Sequence, residues 1–169
     1  IHDNDPVMFM ESTKLYGEEW DVPSNDELPN GELVIPLGLA DIKRAGTDIS
    51  LIAHGRAVIT CLQAAEILSS QHGIEAEVVD VRSIRPLDEE TILDSVSRTH
   101  RAIYVEEGRP FCGVGAQIAY TIQSKLFDEL DAPVLRVNSL DAPAIYSPPL
   151  EALQLPTPEI VVEKALSTF

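Results

Sequence analysis

From residue 48 onward, apolar runs of strand length alternate with segments whose apolar residues recur at helical spacing, and this alternation constrains the fold more than any other feature. Residues 48–54, with Ile49, Leu51, Ile52 and Ala53, read as a buried strand. Val58, Cys61, Leu62, Ala65 and Leu68 then fall on one helical face, which Gly73 closes. A second strand over 75–83 carries Val78, Val79 and Val81, and a helix over 88–98 buries Ile92, Leu93 and Val96. A third strand spans 102–106, a third helix starting near Gly113 buries Ile118, Ile122 and Leu126, and a fourth strand spans 133–137. After a proline-rich passage, Thr157 and Pro158 start a last helix with Val161, Val162, Ala165 and Leu166 inward. Strands joined by single helices need crossover connections. The expected fold is therefore three-layer α/β, a mostly parallel sheet with helices on both faces, over residues 33–169.

In such sheets ligands gather at the carboxyl ends of the strands. Here those ends hold His54-Gly55-Arg56, residues 82–85, Glu106-Glu107-Gly108-Arg109 and residues 138–141. The stretch 81–88 is the most structured of them. Arg85 precedes Pro86 and is pushed out of the helical region, and Asp88 is placed to cap the helix that follows. Arg82 and Arg85 read as anchors at the sheet edge near a subunit contact rather than as catalytic groups, with Asp88 as a structural cap. Glu106 and Glu107 could serve as general acids or bases, but with arginines nearby they are expected to form salt links across the sheet edge or a subunit boundary.

Upstream the pattern changes. Residues 6–11 read as a short buried strand, the end of an upstream domain, and residues 12–30 as a linker of charge, proline and glycine. Nine acidic residues against Lys14 alone give residues 1–32 a charge of −8, half of the chain's −16. Residues 33–40 could dock on the main domain, with Pro36 restricting them to an edge. The net charge disfavours nucleic acid and anionic membrane surfaces, since both need Lys and Arg. No apolar run approaches the roughly 20 residues of a membrane span, and the start is unlike a signal peptide, so a cytoplasmic location is expected. Without an initiator methionine, the chain reads as a piece of a longer protein.

Cys61 reads as a core residue and Cys112 as a loop thiol, with no disulfide between them. The sequence has no nucleophile elbow, no His-Glu-x-x-His, no Walker sequence and no Cys-x-x-Cys. Gly113-Val114-Gly115 lacks the third glycine of a dinucleotide fingerprint and fits close helix packing better than phosphate binding. His54 reads as a loop histidine satisfied by backbone groups. One residue-level alternative remains: an anion- or nucleotide-binding module in which Arg82, Arg85 and the helix start at Gly113 hold the ligand.

A set of short motifs in fixed order carries a resemblance: Leu15-Tyr16-Gly17, Ile35-Pro36-Leu37-Gly38, Gly46-Thr47-Asp48-Ile49, Arg85-Pro86-Leu87-Asp88, Val105-Glu106-Glu107-Gly108, Gly113-Val114-Gly115-Ala116 and Leu130-Asp131-Ala132-Pro133. In that order and spacing, over essentially the whole chain, the sequence resembles the C-terminal domain of the beta subunit of pyruvate dehydrogenase. That enzyme is the thiamine-dependent first component of the 2-oxoacid dehydrogenase complexes. Arg109 departs from the pattern, since relatives often carry an aromatic residue there. Under the same resemblance the branched-chain 2-oxoacid and acetoin enzymes remain alternatives, because their substrate pockets lie outside this piece.

The resemblance implies a transketolase-type C-terminal fold. It implies a parent enzyme that uses thiamine diphosphate and magnesium, held between the alpha subunit and the upstream domain of the beta subunit, so that this piece alone binds no cofactor. It further implies contacts with the alpha subunit and a second beta subunit. The peripheral subunit-binding domain of dihydrolipoyl acetyltransferase would dock here through basic residues, received by Asp131 and the terminal carboxylate of Phe169. The implied location is bacterial cytoplasm or, in a eukaryote, the mitochondrial matrix.

Overall fold

A computed structural model of the chain describes residues 4–6, 8, 11–19, 24 and 33–169. It divides into two compact units, Ile1–Ile35 and Pro36–Phe169. In the first, a 3-10 turn spans Thr13–Leu15, and the Tyr16 hydroxyl donates to Glu11 Oε2 at 2.6 Å. The strand expected over 6–11 lies largely outside the described residues, although Met8 is described and is exposed.

The second unit is built on five strands: β1 (Asp41–Arg44), β2 (Ile49–Ala53), β3 (Ala76–Asp80), β4 (Ala102–Val105) and β5 (Leu135–Val137). Their order across the sheet is β1-β3-β2-β4-β5. β2 pairs in parallel with β3 and β4, and β4 with β5; β1 runs antiparallel to β3. The helices are α1 (Ala57–Ile67), widened by a π turn at Leu68–His72, α2 (Glu89–Thr99), α3 (Val114–Leu126), the short α4 (Pro148–Ala152) and α5 (Pro158–Leu166).

The strand period of two separates the layers. Ile49, Leu51 and Ala53 of β2 and Ile103 and Val105 of β4 pack with α1 and α5 on one face. Ile52 of β2 and Ala102 and Tyr104 of β4 pack on the other, with Ile92 and Val96 of α2 and Ile118 and Ile122 of α3. β2 is buried along its whole length, which is why it reads as a continuous apolar run. Its one polar member, Ser50, meets the hydroxyls of Ser95 at 2.6 Å and Thr99 at 2.7 Å, so the buried group is satisfied.

Two expectations are corrected. The edge position assigned to 33–40 is taken by β1, which begins only at Asp41; Leu37 and Leu39 are exposed and precede it in a turn. β1 was missed because Asp41-Ile42-Lys43-Arg44 has a single apolar residue, a composition suited to a charged edge that resists pairing with other strands. The strand expected over 75–83 stops at Asp80, because Arg82 has a positive φ of 54° and leaves the extended conformation. Gly46 explains the tight entry into β2: a Cβ there would lie 2.2 Å from the Ala76 carbonyl carbon.

Candidate functional site

The order of the strands reverses between β2 and β4, so a ligand crevice is expected at their carboxyl ends. The chain's own side chains close it. His54, just past β2, places Nδ1 2.7 Å from the Tyr104 hydroxyl of β4. Burial, then the proximity of Glu106 and of Cys61, pushes the Tyr104 phenol above its ordinary value and keeps it a hydroxyl at neutral pH. His54 is thus satisfied, but by the Tyr104 side chain rather than by the backbone groups expected.

One residue past β4, Glu106 is 2% exposed. Its Oε1 accepts from the Gly115 amide at 3.1 Å and from Asn138 Nδ2 at 2.8 Å. The salt link expected for Glu106 is therefore absent: a backbone donor of α3 and a neutral amide satisfy the carboxyl. Glu107 does form its link, with Arg56 Nη1 at 3.3 Å. The glycines of the Gly-x-Gly motif make this niche. A Cβ on Gly113 would sit 2.5 Å from Glu106 Oε1, and one on Gly115 2.4 Å from Tyr104 Cδ1. The helix start that might have cradled a phosphate is filled by a carboxyl group of the chain itself.

The stretch 81–88 holds together as a structural corner. Arg82 Nη2 pairs with Asp41 Oδ2 at 2.5 Å, tying the corner to β1. Asp88 is buried and caps α2, accepting from Thr91 N at 3.1 Å, Thr91 Oγ1 at 2.7 Å and Ala40 N at 2.8 Å. Burial pulls its carboxyl upward, but these three bonds outweigh burial and hold it below the usual range. Arg85 is exposed and makes no ion pair or hydrogen bond among the described residues, so it anchors nothing within the chain. Around the same edge, the loops after β3, β4 and β5 expose Ile84, Phe111, Leu140 and Tyr146.

A second group assembles at the opposite, amino end of the strands. Arg101, immediately before β4, pairs through Nη1 with Asp131 Oδ2 at 2.9 Å, donates from Nε to the Thr168 carbonyl at 3.0 Å, and lies 4.5 Å over the Phe169 ring. The Asp131 amide donates to the His100 carbonyl at 2.9 Å. Asp131 edges a depression of about 380 Å³ shared with Gln123, Phe127, Leu130, Ala132 and Pro133. Asp131 and Phe169, paired by the resemblance alone, thus stand together in space. Arg101, which joins them, was not singled out from the sequence: Thr168 is 67 residues away, beyond the reach of any periodicity.

The crevice between β2 and β4 of this mostly parallel sheet is filled by the chain's own polar side chains, and a second cluster, around Arg101 and Asp131, lies at the other end of the strands. Residues 38–161 match the family described as Transketolase, C-terminal domain, and the chain belongs to that family. It is 44% identical over 164 residues to the mitochondrial pyruvate dehydrogenase E1 component subunit beta of Caenorhabditis elegans, covering 96% of this chain and 46% of that one. It is 45% identical over 166 residues to the acetoin:2,6-dichlorophenolindophenol oxidoreductase subunit beta of Bacillus subtilis (strain 168), covering 98% of this chain and 46% of that one. Among solved structures it resembles a split-gene transketolase described as an inactive beta4 tetramer, with a TM-score of 0.66 and 25% identity over 82% of this chain and 43% of that one. The chain spans less than half the length of these relatives.

Proposed function

We propose that this chain is the C-terminal part of the beta subunit of a thiamine-dependent 2-oxoacid dehydrogenase acting on pyruvate, and that it supplies subunit contacts and a docking corner. Residues 1–32 are then the end of an upstream domain and its acidic linker. The carrying observation is the carboxyl edge: Glu106, Tyr104 and His54 are satisfied by the chain's own groups in the crevice between β2 and β4, and the surrounding loops expose the apolar residues Ile84, Phe111, Leu140 and Tyr146. Such a rim is suited to burial against another protein surface. The occupants proposed are the alpha subunit and the second beta subunit, with Arg85 free to pair across the contact.

The described residues do not fit a diphosphate and magnesium. The glycine-bearing helix start is filled by Glu106, and among the described residues no group of three His, Cys, Asp or Glu side chains could hold a metal. Thiamine diphosphate is assigned to the upstream domain and the alpha subunit, in a bacterial cytoplasm or a mitochondrial matrix. At the amino end, Asp131 beside Phe169 is the proposed receiving point for the basic peripheral subunit-binding domain of dihydrolipoyl acetyltransferase. The net charge of −16 favours such a partner.

Sedimentation of the complete beta subunit mixed with its alpha subunit tests the reading. Phe111→Asp, at a side chain 82% exposed, should leave the fold intact and break the assembly. An assembly that tolerates Phe111→Asp and Tyr146→Asp together would remove the carboxyl edge from the interface. The equal similarity to the acetoin relative supports a second substrate reading, decided by comparing turnover of pyruvate and acetoin by the whole enzyme.

A further inference from the structure

We infer that Arg101 is the positioning residue of the docking corner: one guanidinium holds the Asp131 carboxylate and the segment ending in Phe169 in a single preformed acceptor for a basic partner. The inference rests on the docking reading above and goes beyond it, because it assigns the corner's geometry to a cation. Arg101 spends separate faces of its guanidinium on three groups. Nη1 meets Asp131 Oδ2 at 2.9 Å, Nε meets the Thr168 carbonyl at 3.0 Å, and the plane lies over the Phe169 ring with its central carbon 4.5 Å from the centroid. A planar guanidinium can donate from Nε to the Thr168 carbonyl, pair with Asp131 at its outer edge and stack on the ring at once.

The burial pattern fits a support rather than a contact. The Arg101 side chain is 22% exposed and the Asp131 side chain 52%, so the cation lies beneath the acid it holds. Asp131 Oδ2 is paired with Arg101, and the side chain, 52% exposed, remains accessible to an incoming cation. Thr168 is buried and its hydroxyl donates to the Ala165 carbonyl at 2.7 Å, so the end of α5 is fixed on one side and Arg101 fixes it on the other. The Phe169 ring, 59% exposed, has its place set by the stacking.

This arrangement separates two effects of opposite sign. If the corner worked by net charge alone, removing Arg101 would make it more acidic and tighten a basic ligand, chiefly through the association rate. If Arg101 preorganises the corner, its removal frees Phe169 and Asp131, and the partner must order them on binding.

The experiment is titration calorimetry of the complete beta subunit, assembled with its alpha subunit, against an isolated peripheral subunit-binding domain. The unmodified assembly, Arg101→Ala and Arg101→Lys are compared at low and at physiological salt. Amide hydrogen exchange over residues 165–169 in the free assembly reads the segment's order independently of binding. Arg101→Ala is expected to weaken binding about tenfold, the scale of ordering a short segment and its side chains, and to speed exchange over that segment. Arg101→Lys keeps the charge but cannot serve both acceptors and the ring, and should recover only part of either effect. Binding that is equal or tighter in Arg101→Ala overturns the inference while leaving the docking reading in place. Full recovery by Arg101→Lys overturns it too, since charge alone would then suffice. No binding by the unmodified assembly overturns the docking reading and this inference with it.

Discussion

Arg98→Ala tests the packing of α2 on the sheet. Glu77 lies in β3 with its side chain 3% exposed, in register with Ser50 of β2. Its carboxylate receives Arg98 Nη2 at 2.8 Å and Nη1 at 3.2 Å, a two-pronged pair that crosses from α2 to the sheet. Hydrogen bonding to Glu77 is the main influence raising the Arg98 pKa, partly opposed by burial. Removing one partner of a fully buried pair costs about 3–5 kcal/mol, because the other charge is stranded. The Arg98 side chain is 48% exposed, however, so truncation also lets water reach Glu77, and the expected loss falls to about 2–3 kcal/mol.

Urea unfolding followed by circular dichroism measures the loss. Glu77→Gln in the Arg98→Ala background removes the stranded charge and should restore much of the stability at neutral pH. A double variant no better than Arg98→Ala would refute this account of the pair.

Asp88→Ala removes the cap of α2 and strands the Ala40 amide, an expected loss of about 2–3 kcal/mol at neutral pH. Because the Asp88 carboxyl is held below the usual range, its contribution is full above the ordinary carboxylate pKa and fades as pH falls through the depressed one; a gap that widens in acid would contradict the assignment. Gly115→Ala drives a methyl into Tyr104 and Glu106 and should cost at least about 1–3 kcal/mol, read as a lowered urea midpoint; an unchanged midpoint would mean the niche has slack. Arg85→Ala should change stability by no more than about 0.5 kcal/mol and weaken subunit assembly. Normal assembly with lost turnover would instead make Arg85 catalytic.

The three inner strands, β3, β2 and β4, were legible because burial on both faces writes itself as a mostly apolar run, as in Ile49-Ser50-Leu51-Ile52-Ala53. β1 was not, because an edge strand is stabilised by its neighbour's backbone and its sequence is free to be charged. Local chemistry was readable where donor and acceptor are close in the chain: Asp88 with Thr91 and Thr157 with Ile160 were both anticipated as caps. Glu106 was placed at the right strand end but given the wrong partners. Its actual ones, Gly115 and Asn138, are 9 and 32 residues away and arrive only when α3 and β5 pack. Arg101 belongs to the same class, a long-range junction whose members carry no pattern until the sheet is assembled.

The docking role is tested most directly by the dissociation constant of a peripheral subunit-binding domain for the assembled enzyme carrying Asp131→Asn, measured beside the parent across a range of salt. The substitution removes the receiving charge and leaves Arg101 facing the basic partner. Binding should weaken by about tenfold or more, with a shallower salt dependence. An unchanged dissociation constant and salt slope would contradict the account.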